Sequence, residues 1–143
     1  LTLYRVIGAR RHFERLVEKY KVEIYRYNES IKNTGYYLKP VHMVYKRDRD
    51  GRLRVYRYVA KYWWRIIYIG RRGKTSRIKW IYVGSRMPYH PDLMLNPPPP
   101  SPFEGIGYAV EGEDVLLTDE AYRRVKRLLK GFPVRIIGEQ GDA

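Results

Sequence analysis

The chain has 143 residues, a length that suits one domain with a real hydrophobic core. Hydrophobic residues make up 44% and charged residues 31%, which excludes a disordered chain, and no apolar run reaches the roughly 18 residues a membrane helix needs. The formal net charge is +14 and the pI about 10.0, the electrostatic footprint of a protein that meets a polyanion.

There is no cysteine, so disulfides, thiolate metal sites and cysteine nucleophiles are excluded together. His12, His42 and His90 lie far apart and show no metal-ligand spacing, and no cofactor is expected. Leu1-Thr2-Leu3-Tyr4-Arg5 opens no leader pattern, so the expectation is a cytoplasmic protein, associated with nucleoid or ribosome.

The charge is segregated. Leu1 to Leu95 holds 23 basic and 7 acidic residues (23 − 7 = +16), whereas Asn96 to Ala143 holds 6 and 8 (6 − 8 = −2). Within the first part, Lys39 to Arg86 carries 15 basic residues against only Asp48 and Asp50 (15 − 2 = +13).

Gly8 to Ile31 reads as a helix, because Phe13, Leu16, Val17, Tyr20, Ile24, Tyr27 and Ile31 recur at spacings of three and four. Asn33-Thr34-Gly35 is a stop signal. A competing reading breaks this helix near Lys21 and makes Val22 to Tyr27 a strand. Tyr36 to Tyr45 reads as a strand interrupted by Pro40, hence an edge. Asp48-Arg49-Asp50-Gly51 then turns the chain, so Val41–Lys46 and Arg52–Tyr58 form a first hairpin. Tyr62 to Ile69 and Arg77 to Val83 form a second, joined by the turn Gly70-Arg71-Arg72-Gly73-Lys74-Thr75. On its return strand Ile78, Trp80 and Tyr82 share one face and Arg77 and Lys79 the other, which predicts one packed face and one basic face.

Pro88 to Pro102, with Pro97-Pro98-Pro99-Pro100, is a polyproline connector or an extended arm that binds a partner. The tail predicts a β-β-α-β unit: Gly107–Val110, the turn Glu111-Gly112-Glu113, Asp114–Leu117, a helix opened by Thr118-Asp119-Glu120, and Val134–Ile137. The expected class is α+β: an N-terminal helix packed on an antiparallel hairpin sheet, a Pro-rich connector and the β-β-α-β unit. Residues 1–95 make the basic region, 96–104 the connector and 105–143 the C-terminal unit, expected as parts of one compact domain.

Two-stranded ribbons fit the major groove of duplex DNA, and sheet faces carry unstacked bases. Such contacts need cations for phosphates and close approach of backbone. The hairpins supply Arg47, Arg49, Arg52, Arg54, Arg57, Lys61, Arg65, Arg71, Arg72, Lys74, Arg77, Lys79 and Arg86 as candidate nucleic-acid contacts. Tyr56, Tyr58 and Trp63 are candidates for base stacking, and Trp64, Trp80, Tyr68 and Tyr82 are expected in the core. Strand cations also serve simply to guard an exposed edge. The basic group Arg123, Arg124, Lys126 and Arg127 reads as the solvated face of its helix.

The aromatic run, basic turn and Tyr82-x-Gly84 ending of residues 62–84 resemble small β-hairpin modules of short basic proteins in archaea and mobile elements. The resemblance covers about a fifth of the chain. It implies a nucleic-acid association with no assigned reaction. Gly73-Lys74-Thr75 lacks the upstream spacing of a phosphate-binding loop, and no catalytic constellation stands out. The expectation is therefore a non-catalytic nucleic-acid-binding protein, DNA favoured and RNA, in a ribosomal setting, the alternative. Two others remain: a metal-dependent nuclease using Glu111, Glu113 and Asp114, and an adaptor docking a protein partner through its C-terminal unit.

Overall fold

Regular alternation of large side chains at spacings of three and four does produce the helix. In the computed structural model, which describes residues 2–89 and 95–139, α1 runs from Arg10 to Ile31 and buries Phe13, Val17, Tyr20, Ile24, Tyr27 and Ile31. The competing strand is overruled, since Val22 and Tyr25 stay exposed as a helical period requires. A short 3-10 turn and Gly35, at φ +81°, stop the helix, with the Gly35 N–H donating to the Lys32 carbonyl. The buried Asn28 amide then acts like a strand edge: it donates to the Leu38 carbonyl at 2.8 Å and accepts from the Leu38 N–H at 2.9 Å.

The strands are β1 Thr2–Val6, β2 Tyr36–Leu38, β3 Val41–Arg47, β4 Leu53–Val59, β5 Trp63–Arg72, β6 Thr75–Gly84, β7 Gly107–Glu111, β8 Asp114–Thr118 and β9 Val134–Glu139. A second helix, α2, covers Asp119–Val125 and is capped by Thr118. They build two antiparallel sheets, ordered β3-β4-β7-β8-β1-β9 and β2-β5-β6. The fold is α+β, and both hairpins and the β-β-α-β unit stand where the pattern placed them.

Three expectations change. Residues 2–6, to which the sequence pattern assigns no element, form β1 between β8 and β9. Its alternation sends Val6 into the main core and Leu3 into a smaller cluster on the other face of the sheet. Next, the expected strand is split at Pro40: both pieces are edge strands, as expected, but the chain there leaves the small sheet (β2) for the large one (β3). The return crossing lies beside it at Ala60, buried and at φ +46°, whose N–H donates to the Pro40 carbonyl. Finally, the C-terminal unit does not stand beside the hairpin sheet but completes it. β7 and β8 insert between β4 and β1, so the sheet is woven from both ends of the sequence.

The main core packs α1 against Val59, Tyr108, Val115 and Leu117 of the large sheet, with Ala121, Val125 and Leu129 beyond them and Leu38 and Trp63 from the root of the small sheet. The described part of the proline-rich segment straps this core. The Tyr20 hydroxyl donates to the Pro99 carbonyl at 2.8 Å and the Tyr27 hydroxyl to that of Asn96. A connector fits this packing of residues 95–102; residues 90–94, His90 among them, lie outside the described residues. No helix among the described residues is long and apolar enough to cross a membrane.

Candidate nucleic-acid interface

The two hairpins separate the candidate cations into those held by the fold and those held by nothing. Hairpin β3–β4 carries the first kind. Arg54 is buried, with its side chain 4% exposed, and grips three carboxylates: Asp48 at 2.6 Å, Asp50 at 2.7 Å and Glu111 at 3.1 Å. Arg52 also reaches Glu111, at 3.1 Å, and Arg5 bridges Glu111 and Asp114. Arg47 donates to the Gly51 carbonyl. Arg49 is exposed at the turn, and Arg57 is half-buried on β4. Arg54 is the centre of an ion network of three guanidiniums and four carboxylates. Of the acids of the nuclease alternative, Glu111 and Asp114 are each paired with arginine. Among the described residues no group of three histidines or acids is placed to hold a metal.

This network makes acid stability testable. Hydrogen bonds from Arg54 and from the Arg52 N–H hold Asp50 below the usual carboxylate range, and the Gly8 N–H and Arg5 do the same for Asp114. A carboxylate depressed by folding contributes fully above its unfolded pKa, near 3.9, and loses that contribution as pH falls through its folded value. Melting temperature should therefore drop below about pH 4, and Asp50→Asn should flatten that drop when the two proteins are scanned from neutral pH downward.

The stacking candidates also change. Tyr56 is buried with its hydroxyl bonded to Asp48 at 2.8 Å, and its ionisation is pushed up by burial. Trp63 is buried edge-on against Tyr27. Neither is available to a base. Tyr58 is half-buried, with the Lys61 ammonium 4.5 Å from its ring centre.

Hairpin β5–β6 is different. Pairing runs on through Arg72↔Thr75, so the chain turns only at Gly73-Lys74, with Gly73 at φ +63°, and Arg71 and Arg72 lie in the strand rather than in a loop. β2 covers only Trp63 to Arg65 on one edge, and β6 has no outer neighbour. Ten residues per strand give a ribbon about 33 Å long. Every residue of β6 before Gly84 is exposed. No face of the ribbon's outer half is packed, which corrects the expected division into a packed and a basic face.

The division of chemistry nevertheless holds. Pairing of Trp64↔Tyr82, Ile66↔Trp80 and Tyr68↔Ile78 gathers aromatic and aliphatic groups on one face. Arg65, Ile67, Arg72, Thr75, Arg77, Lys79 and Ile81 share the opposite face by the same register. The bulge at Ile69 shifts the alternation, so that Arg71, opposite Ser76, joins the aromatic side. Arg71, Arg72, Lys74, Arg77 and Lys79 are exposed and form no ion pair with any of the described residues, and no carboxylate lies between Asp50 and Asp92 in the sequence. Arg65 lies 5.8 Å from the Tyr36 ring centre, Lys61 sits at the ribbon's root and Arg86 is exposed just past its end.

No known protein family, curated protein or solved structure matches this chain. What it does is argued from these residues alone.

Sequence reasoning missed the exposure of Trp80, Tyr68 and Tyr82, which it assigned to the core. One signal was available. The single long apolar stripe of α1 suffices to cover one sheet, and no other segment offers a layer to cover a second hairpin. Of the C-terminal basic group, Arg123 pairs with Asp119 and Arg124 reaches the Ser101 carbonyl, while Lys126 and Arg127 face solvent as expected.

Proposed function

We propose that this chain is a non-catalytic nucleic-acid-binding protein, with DNA as the favoured partner, and that hairpin β5–β6 is the contact. The observation that carries the reading is a projecting ribbon with five cations free of any carboxylate. Folding alone gives no reason to leave them unpaired, since the same protein pairs Arg54 with three acids. A two-stranded ribbon has the width of a major groove, and its arginines fork onto phosphates or guanine edges.

The test is fluorescence anisotropy with duplex DNA, single-stranded DNA and structured RNA across a salt series. Six phosphate contacts would weaken binding by on the order of a thousandfold between about 50 and 200 mM salt. A steep slope with DNA is the expected result. Preference for structured RNA would move the reading to a ribosomal setting, and no binding to any of the three at moderate salt would end it.

A further inference from the structure

The aromatic face of the ribbon contains a slot of about 360 Å³, lined by Tyr37, Lys39, Trp64 and Trp80. Tyr37 meets Trp80 edge-on with ring centres 5.3 Å apart, and Trp64 meets Tyr82 likewise at 5.3 Å. Trp80 is 47% exposed and Tyr82 53%, so these rings present open π surface to solvent. A second, independent feature marks the same place. The Trp64 Nε1–H is enclosed and has no acceptor, alone among the buried side-chain nitrogens and oxygens of the described residues. Buried donors are almost always satisfied, so an orphan in the wall of a slot is a donor waiting for an acceptor.

We infer that this slot takes an unpaired base of a single-stranded nucleic acid. Flat π faces on the walls suit a flat ring, the indole N–H suits a base carbonyl or ring nitrogen, and Lys39 stands at the slot for the adjoining phosphate. Arg71, turned to this face by the bulge at Ile69, extends the cationic track along the strand. Charge weighs against a second copy of the chain as the occupant, because two ribbons packed on this face would bring two strongly basic hairpins together, with Arg71 of each on the shared side. The inference rests on the ribbon being the nucleic-acid contact, and it narrows that contact to unpaired bases.

The test uses the full chain with oligo(dT), oligo(U) and a duplex of the same length. Tryptophan emission should be quenched by the single strands and not by the duplex. Trp80→Leu, at an exposed position, should weaken single-strand binding on the order of tenfold and duplex binding less than twofold. Trp64→Phe keeps a ring and removes the N–H, so it should weaken the single strand alone, by several-fold. Tighter binding of oligo(dT) or of oligo(U) assigns the source of the base; either supports the slot. Equal losses on duplex and single strand, or no loss with unchanged emission, would overturn it while leaving a salt-dependent duplex interface standing. No binding of any probe would remove the interface and the slot together. Sedimentation of the wild type as a dimer that Trp80→Leu splits would overturn it in favour of self-association.

Discussion

A protein in which Arg71, Arg72, Lys74, Arg77 and Lys79 are all replaced by serine is expected to lose most of its salt-dependent affinity for DNA. Each phosphate contact contributes about 0.9 to the logarithmic salt slope, so five contacts account for a slope of about 4.5. Over a fourfold rise in salt that slope corresponds to roughly 500-fold in affinity. The wild type and the variant should therefore differ greatly at low salt, and the gap should shrink by about that factor between about 50 and 200 mM. These side chains are exposed and touch no acid, so the variant should fold unchanged. Total charge is controlled by a second variant that loses five exposed cations elsewhere: Arg11, Arg15, Lys19, Arg26 and Lys126 to serine. It should bind nearly as the wild type does. Equal losses in the two variants would mean that net charge, not the ribbon, makes the contact.

Arg54→Met is expected to do the opposite, weakening the fold and sparing the contact. It strands the buried Asp48 carboxylate, which Arg54 holds at 2.6 Å, and withdraws a partner from Asp50 and Glu111. Breaking a buried pair on one side costs about 3–5 kcal/mol, on the order of 10–20 °C in melting temperature for a chain of this size. Adding Asp48→Asn removes the stranded charge and should recover a substantial part of that loss. Below the melting transition the single variant should keep the wild-type salt slope. A stable Arg54→Met protein with weakened binding would return Arg54 to the interface.

Arg54 also shows where sequence reading ends. β4 alternates, and Arg52, Arg54 and Arg57 look equivalent in its local pattern. What singles out Arg54 is its burial against Asp48, completed by Glu111, a carboxylate 57 positions along the chain that it shares with Arg52. Trp63 and Trp64 pose the same problem. Neighbours on a strand face opposite ways, and only the placement of α1 decides that Trp63 is covered and Trp64 borders a slot. Features written in short-range period were legible: the stripe of α1, both hairpins, the Thr118 cap. Features written in long-range pairing were not, and β1 is the clearest case. Five alternating residues carry little signal until β8 and β9 are known to flank them. The concentration of charge was legible as well, but its division into paired and unpaired cations depended on acids brought in from β7 and β8.

The weaving of the large sheet bears on how the molecule comes into being. Synthesis proceeds at about 5–20 residues per second, and local elements such as α1 and the two hairpins form far faster than that. β1, however, has both its neighbours in β8 and β9, and β4 finds its inner neighbour only in β7. A growing chain that has emerged as far as Phe103 therefore holds a helix stripe and strand faces without the sheet that covers them. β1, made before the other described strands, is among the last of them to be paired.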